Sequence, residues 1–105
     1  MTTEDLIETF IQEGIKAYKK LNRNTYEGRR LSQKIPVIIE GIEFSSWREY
    51  ATYKTAERLR ELLPSVSIEV TLDGDNTTLQ IEVDDKEQRK INSAMFNFLH
   101  KLDIV

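Results

Sequence analysis

Residues 66–83 read VSIEVTLDGDNTTLQIEV, and residues 84–105 follow as DDKEQRKINSAMFNFLHKLDIV. Val66, Ile68, Val70 and Leu72 alternate with Ser67, Glu69 and Thr71, and Leu79, Ile81 and Val83 alternate with Thr78, Gln80 and Glu82. A period of two with one apolar side predicts two half-buried strands. Asp73, Gly74, Asp75 and Asn76 lie between them, with a Gly and an Asn that tolerate the positive φ of tight turns, so the pair reads as a hairpin. Asp84 or Asp85 can then cap a helix whose Ile91, Ala94, Met95, Phe98, Leu99 and Leu102 form a core stripe. Phe96 lies about 140° round from Ile91 at 100° per residue, outside that stripe. Its exposure calls for a partner or a neighbouring element. Ile104 and Val105 close the helix with two more apolar residues, read as docked.

Working outward, residues 46–63 predict a helix. Ser46 and Glu49 have capping-box spacing, and Pro64 stops the run. Ala51, Thr55, Ala56, Leu59, Leu62 and Leu63 share one side. Tyr50 and Tyr53 fall on the other with Lys54 and Arg60, an arrangement resembling a contact surface. Residues 35–42 predict a third strand, with Val37, Ile38 and Ile39 covered on both faces, Pro36 at its start and Gly41 at a bulge or bend. Residues 22–34 have no useful periodicity and read as a basic loop. Residues 2–21 predict a helix capped by Thr2 or Thr3, with Glu4 and Asp5 in its first turn and Lys16, Lys19 and Lys20 towards its end.

The expectation is one α+β domain over residues 1–105: an N-terminal helix (1–21), a basic loop (22–34) and a β-α-β-β-α core (35–105). Its three strands form one mixed sheet with the helices packed on one face.

The chain has 105 residues, 39% apolar and 31% charged, with no cysteine and a net charge of −3. This is a globular composition without disulfides, thiolate metal sites or Cys nucleophiles. With an acidic N-terminus and no long apolar run, it is read as cytoplasmic, without a membrane partner. Charge is uneven. Lys16, Lys19, Lys20, Arg23, Arg29, Arg30 and Lys34 stand against the single acid Glu27 in residues 16–34. This segment, with Tyr26, is a candidate nucleic-acid surface, or else it balances the chain's own acids.

Catalytic constellations are weak. His100 has no Asp or Ser partner for a triad. Asp73, Asp75 and Asn76 lack the remaining positions of a calcium loop, and turn chemistry accounts for them. Glu49, Asp73 and Glu82 could be cast as a metal-dependent nuclease set, but the Lys expected two residues after the Glu is replaced by Asp84. The outward positions of the hairpin carry no ring for stacking bases. No cofactor, metal site or catalytic residue is assigned.

From residue 35 onward, three features resemble the small dimerising subunit of the KEOPS complex, the tRNA threonylcarbamoyladenosine modification assembly. Ile42-Glu43-Phe44-Ser45-Ser46 leads into a helix. The hairpin follows. Phe96-Asn97-Phe98-Leu99-His100-Lys101-Leu102-Asp103-Ile104-Val105 is similar to that family's last helix. The chain departs from the family at Asn92, where an Arg is expected, and in residues 2–34, which the family usually lacks. The resemblance implies a non-catalytic scaffold subunit that pairs with itself or a paralogous partner, supports a multiprotein complex and uses Phe96 at the interface. The candidate interface is therefore Phe96, Tyr50, Tyr53, Ile104 and Val105. The alternative is a small nucleic-acid-binding protein acting through residues 16–34.

Overall fold

The computed structural model describes residues 2–21 and 24–104. Helix α1 (Thr3–Lys20) begins with a reciprocal capping box. Thr2 Oγ1 accepts the Asp5 amide at 3.2 Å, and the Asp5 carboxylate accepts the Thr2 amide at 3.1 Å. That backbone donor holds the Asp5 carboxyl below its ordinary value.

The expected loop contains a helix, α2 (Tyr26–Ser32). Thr25 caps it by accepting the Gly28 amide at 3.0 Å, and Leu31 is buried beneath it. It ends in a Schellman arrangement: Ile35 N–H donates to Arg30 C=O and Lys34 N–H to Leu31 C=O, with Lys34 at φ 57°. Lys in place of the usual Gly hid this terminus from sequence reading.

The third strand is in fact a hairpin of its own. β1 (Val37–Ile39) pairs antiparallel with β2 (Ile42–Phe44), joined by Glu40 and Gly41 at φ 53° and 82°. Positive φ at both central residues is what a two-residue type I′ turn requires. Ile38 is 70% exposed, so β1 is covered on one face and not on both.

Helix α3 (Trp47–Leu62) starts at Ser46, whose Oγ accepts the Glu49 amide at 3.2 Å. The Glu49 carboxylate turns back to the Ser45 amide (2.7 Å) and hydroxyl, one residue earlier than the usual capping box. The expected hairpin forms as β3 (Ile68–Thr71) and β4 (Thr78–Ile81), in register Ile68↔Ile81 through Thr71↔Thr78. Thr77 fixes its turn by accepting the Asp73 amide and donating to Gly74 C=O. Helix α4 (Asp85–Ile104) begins at Asp84, which accepts the Glu87 amide.

The described strands form two separate two-stranded antiparallel sheets, which corrects the expected three-stranded mixed sheet. The reason is local. β1 finds its partner two residues downstream. The edges of the second hairpin are occupied by side chains. In an antiparallel pair, alternate residues point both backbone groups away from the partner. On β3, Arg60 donates to Ile68 C=O at 2.8 and 3.3 Å. On β4, Gln88 accepts the Ile81 amide at 3.0 Å and donates to Leu79 C=O at 3.1 Å. A side-chain amide thus stands where a third strand would run.

Two apolar clusters flank α3. One joins Leu6 and Phe10 of α1, Ala51, Ala56 and Leu59 of α3, the β3–β4 hairpin, and Ile91, Met95 and Leu99 of α4. Phe98 enters from α4 edge-on to Phe10 (5.9 Å between centroids) and lies over Gly14. The other cluster joins Ala17, Leu31, Val37, Ile39, Phe44, Trp47 and Tyr50. The Trp47 indole N–H donates to Ser32 Oγ at 2.9 Å, tying α3 to α2. No helix among the described residues is long and apolar enough to cross a membrane.

Candidate interaction surface

The expected interface residues separate sharply. Phe96 is 56% exposed in the middle of α4, between buried Met95 and half-buried Phe98. The His100 ring lies parallel to it one turn on, at 6.2 Å. The Arg48 guanidinium sits 5.8 Å from its ring centre. Tyr50, expected on the outward face of α3, is 1% exposed. It packs edge-on against Phe44 at 5.2 Å, and burial pushes its hydroxyl pKa up. Tyr53 is half-buried against the same Phe44 ring at 5.4 Å. Both tyrosines therefore build the second cluster. α3 is buried on more than one side, so its outward face is narrower than one-sided amphipathicity predicts. Val105 and the side chain of Ile104 lie outside the described residues.

Sequence reading passed over Arg48, which lies in the first turn of α3 just after the Ser46 cap. A cation there opposes the helix dipole, a cost of about 0.3–1 kcal/mol. Its Nε is buried without a hydrogen-bond partner, which costs about 1–3 kcal/mol more. Its only hydrogen bond among the described residues is a long one, Nη2 to Thr77 C=O at 3.4 Å, and no carboxylate there pairs with it. A basic residue two places after a capping Ser, on a helix whose other first-turn charge is Glu49, was the available signal.

Arg48 and Phe96 together separate two grooves. One, of about 510 Å³, runs between the β4 edge at Thr77–Gln80 and the Asn92–Asn97 side of α4. The other, of about 250 Å³, is lined by Lys34, Asp75 and His100. There Lys34 already holds Asp75 at 3.3 Å. The first groove has no acidic lining residue, and its one charge is Arg48.

The basic segment is distributed over α1, α2 and Lys34, and much of its charge meets the chain's own acids. Lys16 pairs with Glu13 at 3.4 Å and Lys20 with Glu40 at 3.6 Å. Arg30 donates to Pro36 C=O at 2.9 Å and lies over the exposed Tyr26 ring. Lys19 and Arg29 are exposed, and Arg23 lies outside the described residues. Glu40 is held mainly by Lys54, at 2.8 Å, which lowers its pKa. Burial alone would lower Lys54, but Glu40 and its other acidic neighbours outweigh that and raise it.

Two of the three carboxylates considered for a nuclease are committed elsewhere: Glu49 to Ser45, and Glu82 to the Ser67 amide at 3.1 Å. No group of three or more His, Asp or Glu that could hold a metal ion occurs among the described residues. No protein-family model, curated protein or solved structure matches the chain.

Proposed function

We propose that this chain is a non-catalytic interaction subunit, working in the cytoplasm and pairing with a second copy or a partner protein through the Phe96 face of α4. The observation that carries this is Phe96 itself, a 56% exposed aromatic held between Arg48 and His100 at the rim of a groove. Aromatic and arginine side chains dominate binding energy at protein interfaces, where the ring buries large area with few torsions to fix. Isolated exposed apolar residues are ordinary. What distinguishes Phe96 is an adjacent cation whose hydrogen-bonding capacity goes largely unused.

The resemblance to the small KEOPS subunit supports the same class of role. The β1–β2 hairpin alters the element order on which it drew, so the proposal takes from it a scaffold role and not a pathway. Nucleic-acid binding through residues 16–34 has less support, because Lys16, Lys20 and Lys34 meet Glu13, Glu40 and Asp75.

Light scattering over a wide concentration range, with affinity purification from the native host, tests the proposal. An interface centred on Phe96 loses about 2 kcal/mol or more in Phe96→Asp, a weakening of roughly 30-fold. A strict monomer that retains no partner, or retention unchanged by Phe96→Asp, contradicts it.

A further inference from the structure

We infer that the groove between β4 and α4 receives a short, extended, acidic peptide segment of the partner, its carboxylate on Arg48 and its backbone along Thr77–Leu79. This rests on the interaction-subunit reading and specifies the chemistry of its partner.

Three observations converge on that occupant. The first is charge. Arg48 offers a planar fork of donors, one of them buried and unpartnered, beside a groove with no acid of its own. A carboxylate satisfies such a fork with two parallel hydrogen bonds. The second is the strand edge. Gln88 occupies Ile81 N–H and Leu79 C=O, closing that end to further pairing. Leu79 N–H faces the same way by register, away from β3. Thr77 C=O accepts the long contact from Arg48 at 3.4 Å. A carbonyl and an amide on either side of Thr78 are the pair that one residue of a parallel strand bonds. Thr77 and Leu79 are 1% and 2% exposed, so this edge forms the floor of the groove; adding a strand at a sheet edge is a general mode of peptide recognition. The third is apolar surface: Phe96 and Met95 line the groove beyond that edge and suit an apolar neighbour of the acid.

Single-stranded nucleic acid fits less well. It needs stacking together with several cations along a backbone. The groove provides one cation, Arg48, and Lys34 in the neighbouring groove is paired with Asp75.

The test uses the whole chain, labelled with nitrogen-15, and two pools of acetylated, amidated hexapeptides. Both pools are randomised over apolar and Thr residues except for a fixed Asp or a fixed Lys at the third position. The Asp pool is expected to shift the Leu79 amide and Arg48 Nε–H resonances saturably. The Lys pool should be weaker by roughly tenfold or more, the loss of a charge-assisted bond. Arg48→Lys keeps the charge but loses the fork, and should weaken the Asp pool by a similar factor with the rest of the spectrum unchanged. Equal response to both pools, or no shift at Leu79, overturns the inference. So does a short single-stranded oligonucleotide that moves the same resonances at lower concentration than the Asp pool. If the pools fail while partner retention still depends on Phe96, the peptide chemistry is wrong and the interface stands; if retention is also indifferent to Phe96, both fall.

Discussion

Replacing Gln88 with Leu probes the feature that holds the β3–β4 hairpin as a two-stranded unit beside α4. The Gln88 amide accepts from Ile81 N–H, donates to Leu79 C=O and reaches Asn92 Oδ1 at 2.8 Å. Leu79 and Ile81 are 2% and 3% exposed, so water does not readily replace the lost partners. Two buried backbone groups left unsatisfied cost about 1–3 kcal/mol each, and an apolar side chain of similar size recovers about 1–2 kcal/mol. The net loss is about 3 kcal/mol, a large share of the 5–15 kcal/mol typical of a domain. For about 100 residues that lowers Tm by roughly 10–25 °C.

Urea unfolding followed by circular dichroism gives the free energy, and amide exchange gives the location. The Ile81 amide, protected in the wild type although it faces away from β3, should exchange much faster in the variant. Gln88→Glu sharpens the test. Its ionised form can accept from Ile81 but cannot donate to Leu79, whereas the protonated form can do both. Folding therefore raises its pKa, and the stability it contributes is present at low pH and lost as pH rises through the folded value. Stability of Gln88→Leu within about 0.5 kcal/mol of wild type, with Ile81 protection intact, refutes the view that this side chain stands in for a strand.

Two further outcomes follow from packing and charge. A Cβ on Gly14 would lie 2.4 Å from the Phe98 ring. Gly14→Ala should therefore destabilise by about 1 kcal/mol despite better helix propensity, and Phe98→Leu in the same chain should remove much of that penalty in a double-mutant cycle. Glu40 titrates below its ordinary value because Lys54 and then Lys20 favour its charged form. Its contribution is thus present above the ordinary glutamate range and lost as pH falls through the lowered value. Urea midpoints measured across acid pH should fall less steeply in Glu40→Gln than in wild type.

What the sequence displayed follows from how locally each element is encoded. The β3–β4 hairpin was legible because Ile68, Leu79 and Ile81 bury one face while Glu69 and Gln80 stay out. The ends of α3 were legible because the Ser46 cap and Pro64 act within a turn of each boundary. The β1–β2 hairpin was not, because Glu40 takes a positive φ that Asn or Asp usually signals. Helix α2 is seven residues long, too short to show a period, and is held by Thr25 and buried Leu31. Pairing between strands distant in sequence depends on what fills their edges. Here those fillers are Arg60 and Gln88, which look like ordinary helix-surface residues in the sequence. On the candidate surface, the off-stripe position of Phe96 was readable from angle alone. The burial of Tyr50 and Tyr53 was not, since it depends on the second cluster that α2 and the β1–β2 hairpin bring to α3. Arg48 shows its unusual position only once the cap that precedes it and the groove beside it are seen together.

The most direct test of the interaction face is a paired affinity purification from the native host, with wild type and Phe96→Asp expressed alongside a differently tagged second copy. The wild type should retain a stoichiometric partner or the second copy, and Phe96→Asp should lose it while its circular dichroism spectrum and unfolding midpoint stay unchanged. Equal retention by both chains, or retention by neither, contradicts the account.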